Sequence, residues 1–200
     1  MAKQLRIGLT GCIGMGKSTT LEMFKTRGIV TWCADEAVTR LYSYNGKAVE
    51  HIKKISPQSI VRKKVSKEEL RKDIETRPHI LKKIENIVNP LIKADRKEFL
   101  EKNRKEEIII FDIPLLFENN IENEFDFIIT VSVSEQEQKL RVLSRKTMDE
   151  KLFSFIKSKQ LPNDEKKRKS DYVIQTNSIN NTEAQVDQFL SKLGLTRCVK

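Results

Sequence analysis

The stretch "GLTGCIGMGKSTT" at residues 8–20 decides the fold. Residues Gly11 to Ser18 match the pattern G-x-x-x-x-G-K-[ST] of a phosphate-binding loop. The run "LRIGLT" (5–10) before the loop is typical of a buried strand, and "STTLEMFKTRG" (18–28) after it is typical of a helix. A glycine-rich loop between a strand and a helix is the setting in which this pattern binds nucleotide phosphates.

The residue types in this loop predict a binding site for ATP and Mg²⁺. Glycines permit positive φ angles and let backbone N–H groups surround an anion. Lys17 is expected to contact the β- and γ-phosphates, and the Ser18 hydroxyl is expected to hold Mg²⁺. The predicted ATP-binding residues of the loop are Gly11, Cys12, Ile13, Gly14, Met15, Gly16, Lys17, Ser18 and Thr19.

Cys12 is the unusual residue of the loop. A thiol at a helix N-terminus can have a lowered pKa, so one hypothesis is that Cys12 is alkylated faster than Cys33 and that ATP protects it. The alternative is that Cys12 only fills space in the loop.

Further strand-like runs alternate with helical patterns along the chain. The expected strands after the first are 29–35, 106–112, 125–133 and 170–176, and the expected helices after the first are 36–43, 46–54, 66–75, 79–103, 134–145, 149–159 and 181–193. This alternation predicts an α/β fold with a mostly parallel sheet and helices on both faces.

Two segments do not fit a simple crossover between strands. The stretch 66–103 is too long, and Asn89–Pro90 is expected to interrupt its helical pattern, since Asn is a good N-cap and Pro suits a first helical turn. The stretch 141–168 is rich in Lys and Arg, which favours a mobile basic lid over an anionic ligand, or else a solvated helical hairpin. We expect one domain with a core (1–60, 104–140 and 169–200), a helical insert (about 61–103) and a lid (about 141–168).

Acidic residues end two of the expected strands. Asp35 ends the second strand, where ligands of parallel sheets bind, so it could accept a proton from an acceptor hydroxyl; it could also cap the following helix. Asp112 follows "IIIF", as a Walker-B acid that supports Mg²⁺ does, and a strand-end cap is the alternative.

Arg141 and Arg145 lie four residues apart and so share one face of a helix. Two guanidinium groups on one face suit triphosphate oxygens and the charge that develops in phosphoryl transfer. The alternative is that both are solvated surface residues.

The composition favours anionic partners in a reducing compartment. The net charge of +10 suits nucleotides, phosphorylated metabolites, nucleic acid or a membrane surface, although lysines on solvated helix faces would give the same value. Three cysteines without C-x-x-C spacing indicate no disulfide framework. Since no apolar run reaches a membrane span and no signal peptide is evident, we expect a cytoplasmic protein.

The chain resembles the dephospho-CoA kinase family. The residues that carry the resemblance are "IGLTGCIGMGKST", "ADE" (34–36), "DIPLLFEN" (112–119) and "KSDYVIQTN" (169–177), in an order that covers about residues 5 to 190. The resemblance implies an α/β P-loop kinase fold with a five-stranded parallel sheet, helices on both faces, a helical acceptor-binding part and a lid. It also implies ATP-dependent phosphorylation of the 3′-hydroxyl of dephospho-CoA. We expect a monomer that binds neither nucleic acid nor a membrane.

The resemblance also assigns roles to individual residues. Asp35 matches the general base, which together with Lys17 and Arg141 makes up the expected catalytic set, and Arg141 and Arg145 match lid arginines that face ATP. Ser18 and Asp112 are the expected Mg²⁺ residues. The residues expected to bind the acceptor are Arg40, Leu70, Arg71, Asn89, Pro114, Leu115 and Glu118.

Four positions depart from the family pattern. Cys33 replaces the first acid of D-A-D, Asn89 replaces the His of His-Pro, Lys67 replaces an arginine and Glu75 replaces a phenylalanine. Three of these lie in the insert, so acceptor binding is the part of the function that they affect.

Two other functions share some of these features. Another small-molecule or nucleoside monophosphate kinase would keep the loop and the lid but needs a different acceptor pocket from "IPLLFE" and the 66–103 insert. A non-catalytic nucleotide- or nucleic-acid-binding protein would need basic residues interleaved with aromatics, which make up only 6% of this chain.

Overall fold

The expected strands form one sheet. A computed structural model of the protein describes residues 4–195. Its strands are β1 (Leu5–Thr10), β2 (Val30–Cys33), β3 (Ile60–Val61), β4 (Lys64–Val65), β5 (Ile108–Asp112), β6 (Phe127–Ser132) and β7 (Tyr172–Gln175). Five of them form a parallel sheet in the order β2-β5-β1-β6-β7, and β3 and β4 form a separate antiparallel hairpin.

The helices lie close to their predicted bounds. The α-helices are α1 (Lys17–Thr26), α2 (Ala34–Tyr42), α3 (Val49–Lys53), α4 (Lys67–Thr76), α5 (Ile80–Lys102), α6 (Glu135–Leu143), α7 (Glu150–Ser158), α8 (Asn163–Lys169) and α9 (Ile179–Lys192). Of these, α8 was not predicted as a helix of its own.

Strand β1 is the centre of the sheet. It pairs in parallel with β5 on one side and β6 on the other, so that Ile7 lies opposite Ile110 and Phe127. Residues 7–10 are all buried, which means that both faces of the strand are covered. This explains why the strand before the phosphate loop has an apolar run rather than an alternating pattern.

The chain divides into two compact units. One consists of the residues up to Trp32 together with those from Lys105 onward, and it contains the phosphate loop and most of the sheet. The other is residues 33–104, a helical unit with its own core.

The helical unit begins much earlier than predicted. In its core, Leu41 of α2 and Val49 and Ile52 of α3 belong to the same buried cluster as Ile80 and Ile84 of α5. The predicted start at residue 61 is therefore later than the start of this compact unit, because α2 and α3 share its core.

Pro90 does not interrupt the long helix. The interruption predicted at Asn89–Pro90 is wrong, since α5 is continuous from Ile80 to Lys102 with Pro90 inside it. The apolar stripe continues beyond the proline, and Leu91 and Ile92 pack against the core cluster. Burial of this stripe offsets the roughly 3 kcal/mol that an internal proline costs a helix.

The C-terminal part of the expected lid is anchored to the first unit. Lys166 of α8 is fully buried, and its ammonium donates to the Pro114 carbonyl (2.9 Å) and forms an ion pair with Glu118 (2.9 Å). The side-chain amide of Asn163 donates to Ser132 Oγ at the end of β6 (2.9 Å). Asn163 and Lys166, in the C-terminal part of the segment predicted as a lid, are thus held in place by contacts with β6 and the segment after β5.

We expect Lys166→Met to lower the free energy of unfolding by about 3–5 kcal/mol, because it leaves the largely buried Glu118 carboxylate without its partner. Urea denaturation measures this change. Lys167→Met is the matched control, since Lys167 is one-third exposed and its partner Asp164 lies in solvent. Equal stability of the two variants would contradict a stabilising role for the Lys166–Glu118 pair.

Candidate active site

The phosphate loop connects β1 to α1. Gly16 has a left-handed conformation (φ 85°), and no side chain caps the start of α1. The first N–H groups of a helix have no hydrogen-bond acceptor within the helix, and no capping side chain accepts hydrogen bonds from them here. This end of α1 can therefore receive an anion.

Two loop positions require glycine for steric reasons. A Cβ at Gly14 (φ 78°) would lie 2.5 Å from the Val142 side chain of α6, and one at Gly16 would lie 3.0 Å from Thr176 Oγ1. Positive φ and close neighbours together exclude larger residues. The loop is therefore packed closely against α6 and the segment after β7.

Lys17 and Asp112 are brought together by the sheet. The Lys17 ammonium forms an ion pair with Asp112 Oδ1, and the two side chains are only 13% and 4% exposed. Asp112 is the last residue of β5, which is the neighbour of β1. This contact favours a role for Asp112 in the phosphate site over the alternative of a strand-end cap.

A cavity of about 480 Å³ lies beside the loop, within the size range of small-molecule sites. Five of the predicted ATP-binding residues line it: Gly14, Gly16, Thr19, Arg141 and Arg145. The remaining lining residues are Thr20, Thr176, Asn177, Ser178, Ile179 and Thr182. The two arginines therefore face the same space as the phosphate loop.

Arg141 is held in a fixed orientation. Its Nε donates to Glu137 Oε1 (2.8 Å), and its terminal nitrogens donate to the Thr176 carbonyl (2.7 Å) and to Thr176 Oγ1 (3.2 Å). A freely solvated surface arginine would lack such partners. Arg145, one turn later, is exposed.

Thr176 is a site residue that sequence reasoning missed. Its hydroxyl donates to the Met15 carbonyl in the loop (2.8 Å), so it connects the loop to Arg141. It follows directly after β7. The rule that ligands of parallel sheets bind at the carboxyl ends of strands would have singled it out, as it did Asp35.

The environment of Cys12 favours the space-filling alternative over a reactive thiol. It is 6% exposed and its thiol donates to the Leu161 carbonyl (3.5 Å). Burial raises the pKa of Cys12, and the nearby Lys166 ammonium offsets this only in part. The alternative, that the residue fills space in the loop, fits the structure. Of the other two cysteines, Cys33 is partly exposed and Cys198 lies outside the described residues.

We expect Cys12 to react with iodoacetamide more slowly than Cys33, because a buried thiol with a raised pKa is rarely present as the thiolate. Peptide mass spectrometry after timed labelling at pH 8 measures both rates. Unfolding in urea should make the two rates similar. Faster labelling of Cys12 in the folded protein would contradict the buried environment.

The segment after β5 was predicted to line the acceptor pocket. The Pro114 carbonyl accepts hydrogen bonds from Thr10 Oγ1 (3.1 Å) and from Lys166, and Glu118 pairs with Lys166. Leu115 is exposed, whereas Leu116 next to it is fully buried. Leu115 is thus free to contact a ligand, and Glu118 is engaged in a structural ion pair.

The acceptor residues predicted in the helical unit have varied environments. Arg40 forms a two-point ion pair with Asp95 (2.6 and 3.1 Å), and Arg71 pairs with Glu75 (2.9 Å). The other two are Leu70, which is buried in the core cluster, and Asn89, which is exposed on α5.

Asp35 lies in the first turn of α2, and its side chain is exposed. The helix begins at Ala34 and its N-cap position is Cys33, so the alternative role of Asp35 as a helix cap is wrong. Its position two residues after the end of β2 is the one that the strand-end rule favours for a ligand-contacting acid.

The described residues contain no group of three or more His, Cys, Asp or Glu side chains that could hold a metal ion by themselves. They also contain no helix that is both long and apolar enough to cross a membrane.

The sequence is similar to those of known dephospho-CoA kinases. The family model described as dephospho-CoA kinase matches residues 5–182. A dephospho-CoA kinase of Ruegeria pomeroyi is 45% identical over 188 residues, which cover 94% of this chain and 95% of that protein. A dephospho-CoA kinase of Jannaschia is 39% identical, with 94% of this chain and 96% of that protein covered.

Solved structures share the fold. The crystal structure of TT1252 from Thermus thermophilus has a TM-score of 0.83 at 24% identity, covering 95% of this chain and 98% of that one. Dephospho-CoA kinase from Campylobacter jejuni has a TM-score of 0.67 at 21% identity, covering 95% and 97%.

Proposed function

The chain belongs to the dephospho-CoA kinase family and catalyses the last step of coenzyme A synthesis, the ATP-dependent phosphorylation of dephospho-CoA at its 3′-hydroxyl, and we propose that the residues described above carry this reaction. The observation that carries the proposal is the joint placement of the phosphate loop, the Lys17–Asp112 pair and Arg141 around one edge of the sheet.

We propose that the loop and the cavity beside it bind ATP. The backbone of residues 11–19 would surround the β- and γ-phosphates, with the Lys17 ammonium contacting them directly. Arg141, fixed by Glu137 and Thr176, would stabilise the negative charge that develops on the transferred phosphoryl group. Arg145 would add a second, exposed cation to the same cavity.

The residues present fit Mg²⁺. This ion prefers oxygen ligands, keeps several waters and needs only one or two protein groups in addition to substrate phosphates. The Ser18 hydroxyl in the first turn of α1 and the Asp112 carboxylate are such groups. When bound, Mg²⁺ would neutralise charge on the phosphate oxygens.

We propose that Asp35 is the general base. It would accept the proton of the 3′-hydroxyl while the 3′-oxygen forms a bond to the γ-phosphorus and ADP leaves. An exposed carboxylate at the carboxyl end of a parallel strand is available for this role.

The helical unit and the segment after β5 are proposed to bind dephospho-CoA. Arg40, Arg71 and Asn89 offer polar groups, and Pro114 and Leu115 offer an apolar surface. Leu70 and Glu118 would act indirectly, by packing and by the ion pair to Lys166. We propose a lid at about residues 141–168, of which Leu161 and Lys166 are held to Glu118 of the first unit.

We further propose a monomeric cytoplasmic enzyme without nucleic-acid partners. The two cysteines that the structure describes are free thiols, as a reducing compartment allows. The positive charge suits two polyanionic substrates.

A panel of acceptors tests the proposed function. The enzyme is incubated with Mg-ATP and dephospho-CoA, AMP, CMP or shikimate, and ADP release is followed by a coupled assay. We expect rapid ADP release with dephospho-CoA and none above background with the other three acceptors. Activity with a nucleoside monophosphate but none with dephospho-CoA would overturn the proposal and favour the nucleoside monophosphate kinase alternative.

A further inference from the structure

Two glutamine side chains hold the phosphate loop from outside. The Ile13 N–H donates to Gln160 Oε1 (2.9 Å), and the Ile13 carbonyl accepts from Gln138 Nε2 (2.7 Å). Gln138 is buried on α6, and Gln160 follows the end of α7. Neither residue belongs to the phosphate-loop pattern, and both are more than a hundred residues from Ile13 in the sequence.

Gln160 is itself firmly placed. The N–H of Leu161, its neighbour, donates to Glu118 Oε1 (2.6 Å), and the Leu161 carbonyl accepts from the Cys12 thiol (3.5 Å). Glu118 is paired with the fully buried Lys166. The Gln160 amide therefore extends from a rigid base, as a positioning group must.

The loop needs such support because it contains Gly11, Gly14 and Gly16. Glycine has more conformational freedom than other residues, so a glycine-rich loop loses more entropy when it is ordered around a ligand. Donors that are already in place for the phosphates avoid this cost at the moment of binding. The hydrogen bonds from Gln138 and to Gln160 fix the backbone at Ile13, immediately before Gly14.

We propose that Gln160 is a positioning residue for ATP, which holds the phosphate loop in its binding conformation through the Ile13 N–H while Gln138 fixes the carbonyl on the other side. This inference rests on the proposed role of the loop as the ATP site. Gln160 acts through the loop backbone and not by contact with the reacting atoms.

The variant Gln160→Met tests this inference. Methionine has nearly the same length and volume as glutamine but cannot accept the Ile13 hydrogen bond well. We expect the dissociation constant for a non-hydrolysable ATP analogue with Mg²⁺ to rise about five- to tenfold, the effect of one hydrogen bond. The backbone amide of Ile13 should exchange its hydrogen faster, while kcat/KM for dephospho-CoA at saturating ATP changes little.

Gln136→Met is the matched control, because Gln136 lies on the exposed face of α6 two residues from Gln138. Analogue affinity equal in the two variants, or unchanged exchange at Ile13, would overturn the inference. The inference would also be overturned if Gln160→Met lowered the melting temperature and weakened binding of the ATP analogue and of dephospho-CoA equally, since that pattern indicates general destabilisation. Analogue binding needs no acceptor, so failure of the proposed function would leave this readout intact.

Discussion

The Asp35→Asn variant is expected to retain ATP binding and to lose at least about 10²-fold in kcat, the range associated with removal of a general base. Asparagine has almost the same shape as aspartate, so the first turn of α2 should be preserved. What it cannot do is accept the proton of the 3′-hydroxyl. Steady-state kinetics with dephospho-CoA and titration with a non-hydrolysable ATP analogue measure the two effects separately.

Glu36→Gln is the control for this prediction. Glu36 is the next residue of the same turn, is also exposed and carries the same charge. Its variant should keep a kcat close to that of the wild type. If both variants lost activity equally, the effect would arise from the local charge and not from a proton acceptor at residue 35.

The Lys17→Met variant is expected to lose about 10³-fold in kcat/KM for ATP, as enzymes do when one preorganised cationic or hydrogen-bonding group is removed from the developing charge. Methionine keeps the length of the side chain within the loop and removes only the ammonium. Initial rates at varied ATP concentration and saturating dephospho-CoA give this value.

Lys25→Met is the matched control on the same helix, since the Lys25 side chain is 37% exposed and forms an ion pair with the solvated Glu22. The Lys17→Met variant also removes the ammonium that pairs with the buried Asp112 carboxylate. The double variant Lys17→Met, Asp112→Asn also removes the buried carboxylate charge. It should therefore have a higher free energy of unfolding than the single Lys17→Met variant, without regaining kinase activity. Near wild-type kinetics in a folded Lys17→Met variant would refute a direct role for this lysine.

The sheet and the phosphate loop could be predicted because each depends on local pattern. The apolar run before Gly11, the glycines and the helical pattern after Lys17 follow one another in the chain, and the predicted first strand has the observed bounds, Leu5–Thr10. Asp112 and Arg141 could be proposed as partners of the loop for a similar reason, since strand ends and helix faces can be identified from spacing.

Other features depend on contacts that spacing does not reveal. Pro90 lies inside a continuous helix because the apolar stripe on both sides of it is buried in a shared core. Lys166 looks like one more residue of a basic run, yet it is fully buried because Glu118, 48 residues away, supplies the opposite charge.

Two other residues that contact the phosphate loop also could not be predicted from their spacing in the sequence. Thr176 and Gln160 contact loop residues that precede them by well over a hundred positions. Cys12 was open to two interpretations, because a helix N-terminus lowers the pKa of a thiol and burial raises it. In the folded structure Cys12 is buried, and burial raises its pKa.

The most direct test of the central claim uses dephospho-CoA and its 3′-deoxy analogue as acceptors with Mg-ATP, with ADP release followed by assay and the product identified by ³¹P NMR. The account predicts one new phosphomonoester on the 3′-oxygen of dephospho-CoA and no ADP release above background with the analogue. Phosphorylation at another position, or ADP release at a similar rate with the 3′-deoxy analogue, would contradict it.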